Sequence, residues 1–175
     1  MLSDLQSQSL AQIFDADGVL VSEADRTHYG QDWSRFIAPD PSAIVFPKEV
    51  SQLKALVAFA RAEQIGLVPS GGRTGLSGGA TAARGEVVVS FERMNRVLDF
   101  DEASRLVLVE PGVITQQLQQ FSMDQGHYYP VDFASSGSSH IGGNIATNAG
   151  GIKVLRYGLT REWVAGLEVV TGNGD

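Results

Sequence analysis

Pro69-Ser70-Gly71-Gly72-Arg73-Thr74-Gly75-Leu76-Ser77-Gly78-Gly79-Ala80 decides the reading of this chain. Five of these residues are glycine, and the stretch follows directly on the apolar run Ile65-Gly66-Leu67-Val68. A loop this poor in side chains is not built for packing. Glycine admits φ > 0 and lets another molecule approach the backbone. Successive backbone N–H groups in such turns can form a concave anion site, for which phosphate is the usual occupant. The plain alternative is a flexible surface loop, but Gly/Ser linkers are rarely flanked so tightly by apolar segments. The local features favour a phosphate cradle.

Working outward, Ala43-Ile44-Val45-Phe46 reads as a short buried strand closed by Pro47. Residues 49–63 read as a helix, with Val50, Leu53, Val57 and Ala60 on one face and Gly66 as its stop signal. Leu67-Val68 begins a second strand, and residues 86–91 make a third. Strand, helix and strand at this spacing predict a βαβ crossover and a small parallel sheet. Residues 94–98 lead into an acidic turn at 99–102, and residues 105–110 make a fourth strand ended by Pro111-Gly112. Thr115 is placed to cap a helix that buries Leu118 and Phe121 and stops at Gly126. Tyr128-Tyr129-Pro130-Val131 is short and extended, residues 164–170 read as a strand, and residues 171–175 as a turn. Before the sheet, a short helix is expected around Leu5, Leu10, Ile13 and Phe14, then a loop at 15–18. Residues 28–36 show no period; Asp32 and Ser34 read as turn or cap residues and Trp33 as packed against the domain body.

The chain has 175 residues, 43% hydrophobic and 19% charged, enough for one core or two small subdomains. Its twenty glycines exceed the average usage of about 7% and cluster instead of scattering. The net charge of −7 argues against a nucleic-acid partner. The absence of cysteine excludes disulfides, thiolate metal sites and thiol nucleophiles. No apolar run approaches the ~20 residues of a membrane helix, and the first ten residues lack the basic and apolar regions of a secretory signal. The expected location is cytoplasmic.

A second glycine region spans residues 137–151, with five glycines, two asparagines and several hydroxyls. Neither region matches the P-loop pattern or Gly-x-Gly-x-x-Gly, so a P-loop is excluded and a Rossmann fold disfavoured. His-Glu-x-x-His and Gly-x-Ser-x-Gly are also absent. His28 and His127 read as structural or exposed. His140, inside the second region, reads equally as a ligand contact or part of the site architecture and as a plain packing residue. Arg73 could pair a phosphate or hold the loop against a carboxylate, and Asp132 reads as a turn carboxylate. Tyr128 and Tyr129 read as core or rim aromatics. Two phosphate-friendly regions about seventy residues apart imply a ligand long enough to touch both, such as a dinucleotide.

On these residues a resemblance stands. The stretch 69–80 resembles the pyrophosphate loop of FAD-linked oxidases with a PCMH-type (vanillyl-alcohol oxidase) FAD-binding domain. Met94-Asn95-Arg96-Val97-Leu98, residues 139–151 continuing to Leu155-Arg156-Tyr157-Gly158, and Gly166-Leu167-Glu168-Val169-Val170 are similar to the branch that includes D-lactate dehydrogenase, glycolate oxidase and D-2-hydroxyglutarate dehydrogenase. The resemblance runs from about residue 26 to the end. It implies an α+β fold: a small parallel α/β subdomain followed by a more antiparallel, incomplete α+β subdomain. The expected boundaries are 1–38 for an N-terminal helix and extended segment, 39–112 for the first FAD-binding subdomain and 113–175 for the second.

The resemblance implies FAD, with Pro69 and Gly78 in the first loop and the pyrophosphate against backbone amides of Gly71, Gly72, Arg73, Thr74, Gly75 and Leu76. It places Pro130, Ser138, Gly142, Gly143, Asn144, Thr147 and Gly151 on the cofactor, and Val169 near the adenine. Covalent members carry a histidine in the first loop; here Arg73-Thr74 stands there, so the FAD is expected to be non-covalent. The implied activity is oxidation of a small D-2-hydroxy acid by hydride transfer to flavin N5. The family's cap domain, with its metal-binding and proton-accepting residues, falls beyond this chain, so no catalytic or metal residue is assigned and the fragment alone is expected to be inactive. The electron acceptor is not specified. The alternative is a stand-alone nucleotide-binding or regulatory module without redox turnover.

Overall fold

A computed structural model describes residues 2–15 and 17–175; Ala16, in the loop expected at 15–18, lies outside the described residues. The chain divides into two compact units, residues 1–93 with 169–175, and residues 94–168.

The first unit begins with α1 (Asp4–Ile13), fixed at its start by a capping box: Ser3 Oγ accepts from Gln6 N at 3.2 Å and Gln6 Oε1 accepts from Ser3 N at 2.9 Å. Strand β1 (Val19–Leu20), α2 (Glu23–Tyr29), β2 (Ala43–Val45), α3 (Val50–Ala62), β3 (Leu67–Ser70) and β4 (Val87–Ser90) follow. The sheet order is β1-β2-β4-β3; β2, β4 and β3 run parallel and β1 is antiparallel to β2. The βαβ crossover is therefore present, with β4 inserted between its two strands. Pro69, which has no N–H to give, is tolerated because β3 is an edge strand.

Alternation along the strands gives this sheet two buried faces. Ala43, Val45, Val87 and Val89 pack with Leu10 of α1 and Leu56 of α3. Ile44, Phe46 and Val88 pack on the other side with Ala82, Leu20, Tyr29 and Val68. A fully buried side chain such as Leu56 contributes about 1.5–3 kcal/mol. With both faces covered, the carboxyl ends of β3 and β4 are where a ligand of an open α/β sheet is held. The glycine loop starts there.

The second unit holds the antiparallel hairpin β5 (Val97–Asp101) and β6 (Leu106–Val109), then α4 (Thr115–Asp124), α5 (Ile141–Thr147) and α6 (Val154–Tyr157). Val113, Leu118 and Ile141 form its core, with Val107, Val109, Tyr129 and Ile145 packed around them. Arg96 and Glu110 close the open end of the hairpin: Arg96 Nη2 donates to Glu110 Oε1 at 2.7 Å and Arg96 N donates to Glu110 Oε2 at 2.7 Å. The whole is a mixed α+β fold with a parallel part first and an antiparallel part second.

Several local expectations are corrected. Helix α2 occupies Glu23–Tyr29, where the sequence suggests no element; the residues after it, to 36, are irregular, as expected. Residues 99–101, expected within a turn at 99–102, belong to a strand, Val97–Asp101; the turn runs through 102–105, with Arg105 at φ 57°. Gln64, at φ 55°, supplies the left-handed residue after α3 in place of the expected stop at Gly66. Thr115 is the first buried residue of α4 and does not cap it; Ile114 holds the cap position. Trp33 is 64% exposed and does not pack against the body. Residues 164–170 form no strand: no described strand pairs with them, and a strand needs a ladder partner.

Candidate functional site

The glycine loop leaves β3 at Ser70 and returns to the body at Thr81 and Ala82. Its carbonyls are used: Gly75 O accepts from Trp33 N at 3.0 Å and Gly78 O from Thr81 N at 3.1 Å. Its donors are not. Among the described residues, the backbone N–H groups of residues 71–80 donate to no acceptor of the chain. A buried loop would carry a heavy cost for that, whereas this one is open and half-buried along residues 71–74. The loop therefore presents a row of unclaimed amide donors.

Arg73 shows how the loop is held. Its backbone has φ 55°, a left-handed conformation that costs a non-glycine residue roughly 1–2 kcal/mol. Its side chain turns to the body, with Nη1 on Glu92 Oε1 at 2.8 Å and the guanidinium 4.6 Å from the Tyr29 ring centre. Arg73 Nη2 also lies 3.3 Å from His28 Nε2, and Tyr29 OH donates to Glu92 Oε2 at 3.2 Å. Burial and the Glu92 carboxylate both push the Tyr29 phenol up. Of the two readings open for Arg73, the structure takes the second: the side chain holds the loop against a carboxylate, while the Arg73 N–H donates to no acceptor among the described residues.

Two hydroxyls beneath the loop, Ser70 Oγ and Ser90 Oγ, are buried without a hydrogen-bond partner. They form a register pair at the carboxyl ends of β3 and β4. Gly78 and Gly79 face open space, so their lack of side chains answers no packing demand within the chain. Leu76 is exposed.

In the second unit the predicted residues divide into two kinds. Gly142 is spent on packing, since a β-carbon there would lie 2.7 Å from Pro111 Cβ and its N–H donates to Pro111 O at 2.8 Å. Gly151 likewise sits against the Asp132 carbonyl. Asn144 is buried, with Nδ2 donating to Thr115 Oγ1 at 2.7 Å, and that hydroxyl is 2.7 Å from Ser139 Oγ. Pro130 is fully buried. Gly143, by contrast, faces open space, and Ser138 and Thr147 are exposed; Thr147 Oγ1 donates to Gly143 O at 2.9 Å. His140 is buried, and its backbone bridges to Ile114.

Beside these residues Lys153 Nζ donates to Asp132 Oδ2 at 2.9 Å and to Tyr128 OH at 2.8 Å. The lysine bond holds the Asp132 carboxyl below its usual range. Tyr129 is driven by burial up to about 12. Asp132 is thus more than a plain turn carboxylate, and its lysine partner is not readable from sequence. Val169, in the first unit, is exposed and irregular.

This donor set fits a pyrophosphate-bearing cofactor. A dianionic linker needs several donors, and unclaimed backbone amides can supply them without lysines, so an acidic chain can bind it. No group of three or more histidine, aspartate or glutamate residues among the described residues could hold a metal ion. No helix among them is long and apolar enough to cross a membrane.

The comparisons with known proteins agree. The chain is 62% identical over 159 residues to D-2-hydroxyglutarate dehydrogenase of Stutzerimonas stutzeri (strain A1501), covering 90% of this chain and 34% of that protein. It is 34% identical over 175 residues to glycolate oxidase subunit GlcD of Bacillus subtilis (strain 168), covering 100% of this chain and 37% of that protein. The chain thus spans about a third of the length of the curated relatives it matches. Among solved structures, alkyldihydroxyacetonephosphate synthase superposes with a TM-score of 0.90 at 22% identity, over 99% of this chain and 34% of that one. p-Cresol methylhydroxylase superposes at 0.79 and 24% identity, over 98% and 34%. These two likenesses concern the fold alone. Residues 41–175 match the family described as FAD binding domain, and the chain belongs to that family.

Proposed function

We propose that this chain is the FAD-binding portion of a flavin-dependent oxidoreductase that oxidises a small D-2-hydroxy acid. The observation that carries the cofactor half is the unclaimed row of amide donors at residues 71–80. The substrate class is supported by the two relatives, whose names specify D-2-hydroxyglutarate and glycolate.

Bound FAD would supply the hydride acceptor, flavin N5, for converting the hydroxyl carbon to a carbonyl. The chain's own residues bind and orient. Amides of Gly71, Gly72, Arg73, Thr74, Gly75 and Leu76 receive the pyrophosphate oxygens, flanked by Pro69 and Gly78. In the second unit Gly143, Ser138 and Thr147 offer open contact positions. Gly142, Asn144, Gly151 and Pro130 hold the backbone that presents them. Val169 lies toward the adenine. The FAD is non-covalent, because Arg73-Thr74 stands in the loop where covalent members carry a histidine. The substrate pocket, the base that takes the hydroxyl proton and the contact with the electron acceptor belong to polypeptide outside these residues.

The test is titration of the purified chain with FAD, followed by flavin fluorescence and thermal melting. Saturable binding should raise stability by about 2.7 kcal/mol at a hundred times Kd, and acid precipitation should release all flavin to the supernatant. No binding and no thermal shift would remove the cofactor assignment. For the substrate class, the complete polypeptide should reduce a dye acceptor with D-2-hydroxyglutarate, D-lactate or glycolate, and activity with none of them would remove that assignment.

A further inference from the structure

Asp32 lies outside the residues that match the FAD binding domain family. It is 3% exposed. Its Oδ1 accepts from Ser34 N at 2.9 Å, from Ser34 Oγ at 2.6 Å and from Thr81 Oγ1 at 3.4 Å. Its own N–H donates to Thr81 Oγ1 at 3.4 Å. The next residue, Trp33, donates its N–H to Gly75 O at 3.0 Å, and Ala82 N donates to Gly30 O at 2.9 Å. Thr81 in turn donates its N–H to Gly78 O at 3.1 Å. A loop whose amides donate to no acceptor among the described residues is thus held by segment 30–34 as well as by the Arg73–Glu92 pair.

We propose that Asp32 is a positioning residue for the glycine loop, setting its amide donors outward before the cofactor arrives. This deepens, and rests on, the reading of residues 71–80 as a pyrophosphate cradle. A free glycine-rich loop must lose conformational entropy when it closes on a ligand. One already ordered by the protein gives up less at the moment of binding and binds more tightly.

The second carboxylate oxygen shows that Asp32 acts through the loop and not on the ligand. Asp32 Oδ2 is buried with no hydrogen-bond partner, and it faces Gly75, where a β-carbon would lie 3.5 Å away. A carboxylate oxygen and a pyrophosphate oxygen are both hydrogen-bond acceptors, so this oxygen is no ligand contact for one. Every hydrogen bond that Asp32 accepts falls on Oδ1. Asn retains that oxygen and replaces only the unpartnered one, whereas Ala removes both.

The experiment measures FAD affinity by fluorescence titration, and thermal melting without FAD, for wild type, Asp32→Asn, Asp32→Ala and Thr81→Val. The expected result is a Kd raised about tenfold in Asp32→Ala, the size of one lost hydrogen bond. Asp32→Asn should stay within about threefold of wild type, since it keeps the bonded oxygen. Thr81→Val, which removes the partner hydroxyl and leaves Asp32 in place, should shift Kd in the same direction as Asp32→Ala and covers the case in which that variant fails to fold. Wild-type affinity in Asp32→Ala or, should that variant not fold, in Thr81→Val overturns the inference while leaving the cradle intact. Equal loss in Asp32→Asn and Asp32→Ala also overturns it, by making the carboxylate itself the contact. Failure of wild type to bind FAD overturns the underlying reading instead.

Discussion

Gly151 sits so close to Asp132 that a β-carbon on it would overlap the Asp132 carbonyl oxygen, with Phe133 Cβ only 3.2 Å away. The two backbones are in contact because nothing stands between them. The Lys153–Asp132 ion pair ties the same segments together two residues further on. Gly151→Ala should therefore displace the segment 131–133 and cost about 3 kcal/mol or more, the upper range for overpacking. Urea melting checks this, with a lower midpoint expected at an unchanged slope.

The Arg96–Glu110 pair makes stability depend on acid. Burial raises the Glu110 carboxyl, but the hydrogen bonds from the Arg96 side chain and backbone outweigh it and leave the folded-state value lowered. A lowered folded value means the contribution is complete above the unfolded carboxyl pKa of about 4.3 and is lost as pH falls through the folded value. Asp132, lowered mainly by its bond from Lys153, acts with the same sign. Glu110→Gln should cost about 1–3 kcal/mol at pH 7 and flatten the acid limb of a stability-against-pH curve. An acid limb as steep as that of wild type would assign the acid sensitivity elsewhere.

Arg73 combines a left-handed backbone with a side chain fixed by Glu92 and Tyr29. Arg73→Ala loses the anchor and keeps the strain, whereas Arg73→Gly loses the anchor and removes the strain. The glycine variant should be the more stable by about 1 kcal/mol in thermal melting. It should also bind FAD no more than about tenfold more weakly than wild type, because the pyrophosphate contacts are amides and the lost ion pair is partly exposed.

The parts of this fold that were legible share a strong local pattern. Residues 43–46, 49–63 and 86–91 carry apolar periodicity, and they became β2, α3 and β4. Helix α2 was hidden because Glu-Ala-Asp-Arg-Thr-His-Tyr has no apolar stripe; it is set by the Ser22 cap, whose Oγ accepts from Asp25 N. Strand β5 was hidden by Asp99 and Asp101, charges that an exposed hairpin accepts. Residues 164–170 had the composition of a strand, but pairing is a property of two segments and no local pattern reveals its absence.

The site shows the same division. The glycine loop announced itself through backbone chemistry, which glycine encodes directly. Which way the Arg73 side chain turns did not, because the deciding partner, Glu92, lies nineteen residues away in sequence. Asp32 was legible as a turn residue, and its Oδ1 does accept from Ser34 N, but its burial beside Gly75 and Thr81 depends on residues far along the chain. Within the second region glycine was ambiguous: Gly142 is needed by Pro111 and Gly143 by nothing in the chain.

The most direct measurement is the amide ¹H–¹⁵N spectrum of the chain titrated with FAD, ADP and riboflavin in parallel. The unclaimed donors of residues 71–80 predict that FAD and ADP, which both carry a pyrophosphate, shift the amides of Gly71 to Leu76. Riboflavin, which carries none, should leave those amides unmoved. Saturating FAD that shifts other residues while these six amides stay in place would contradict the account.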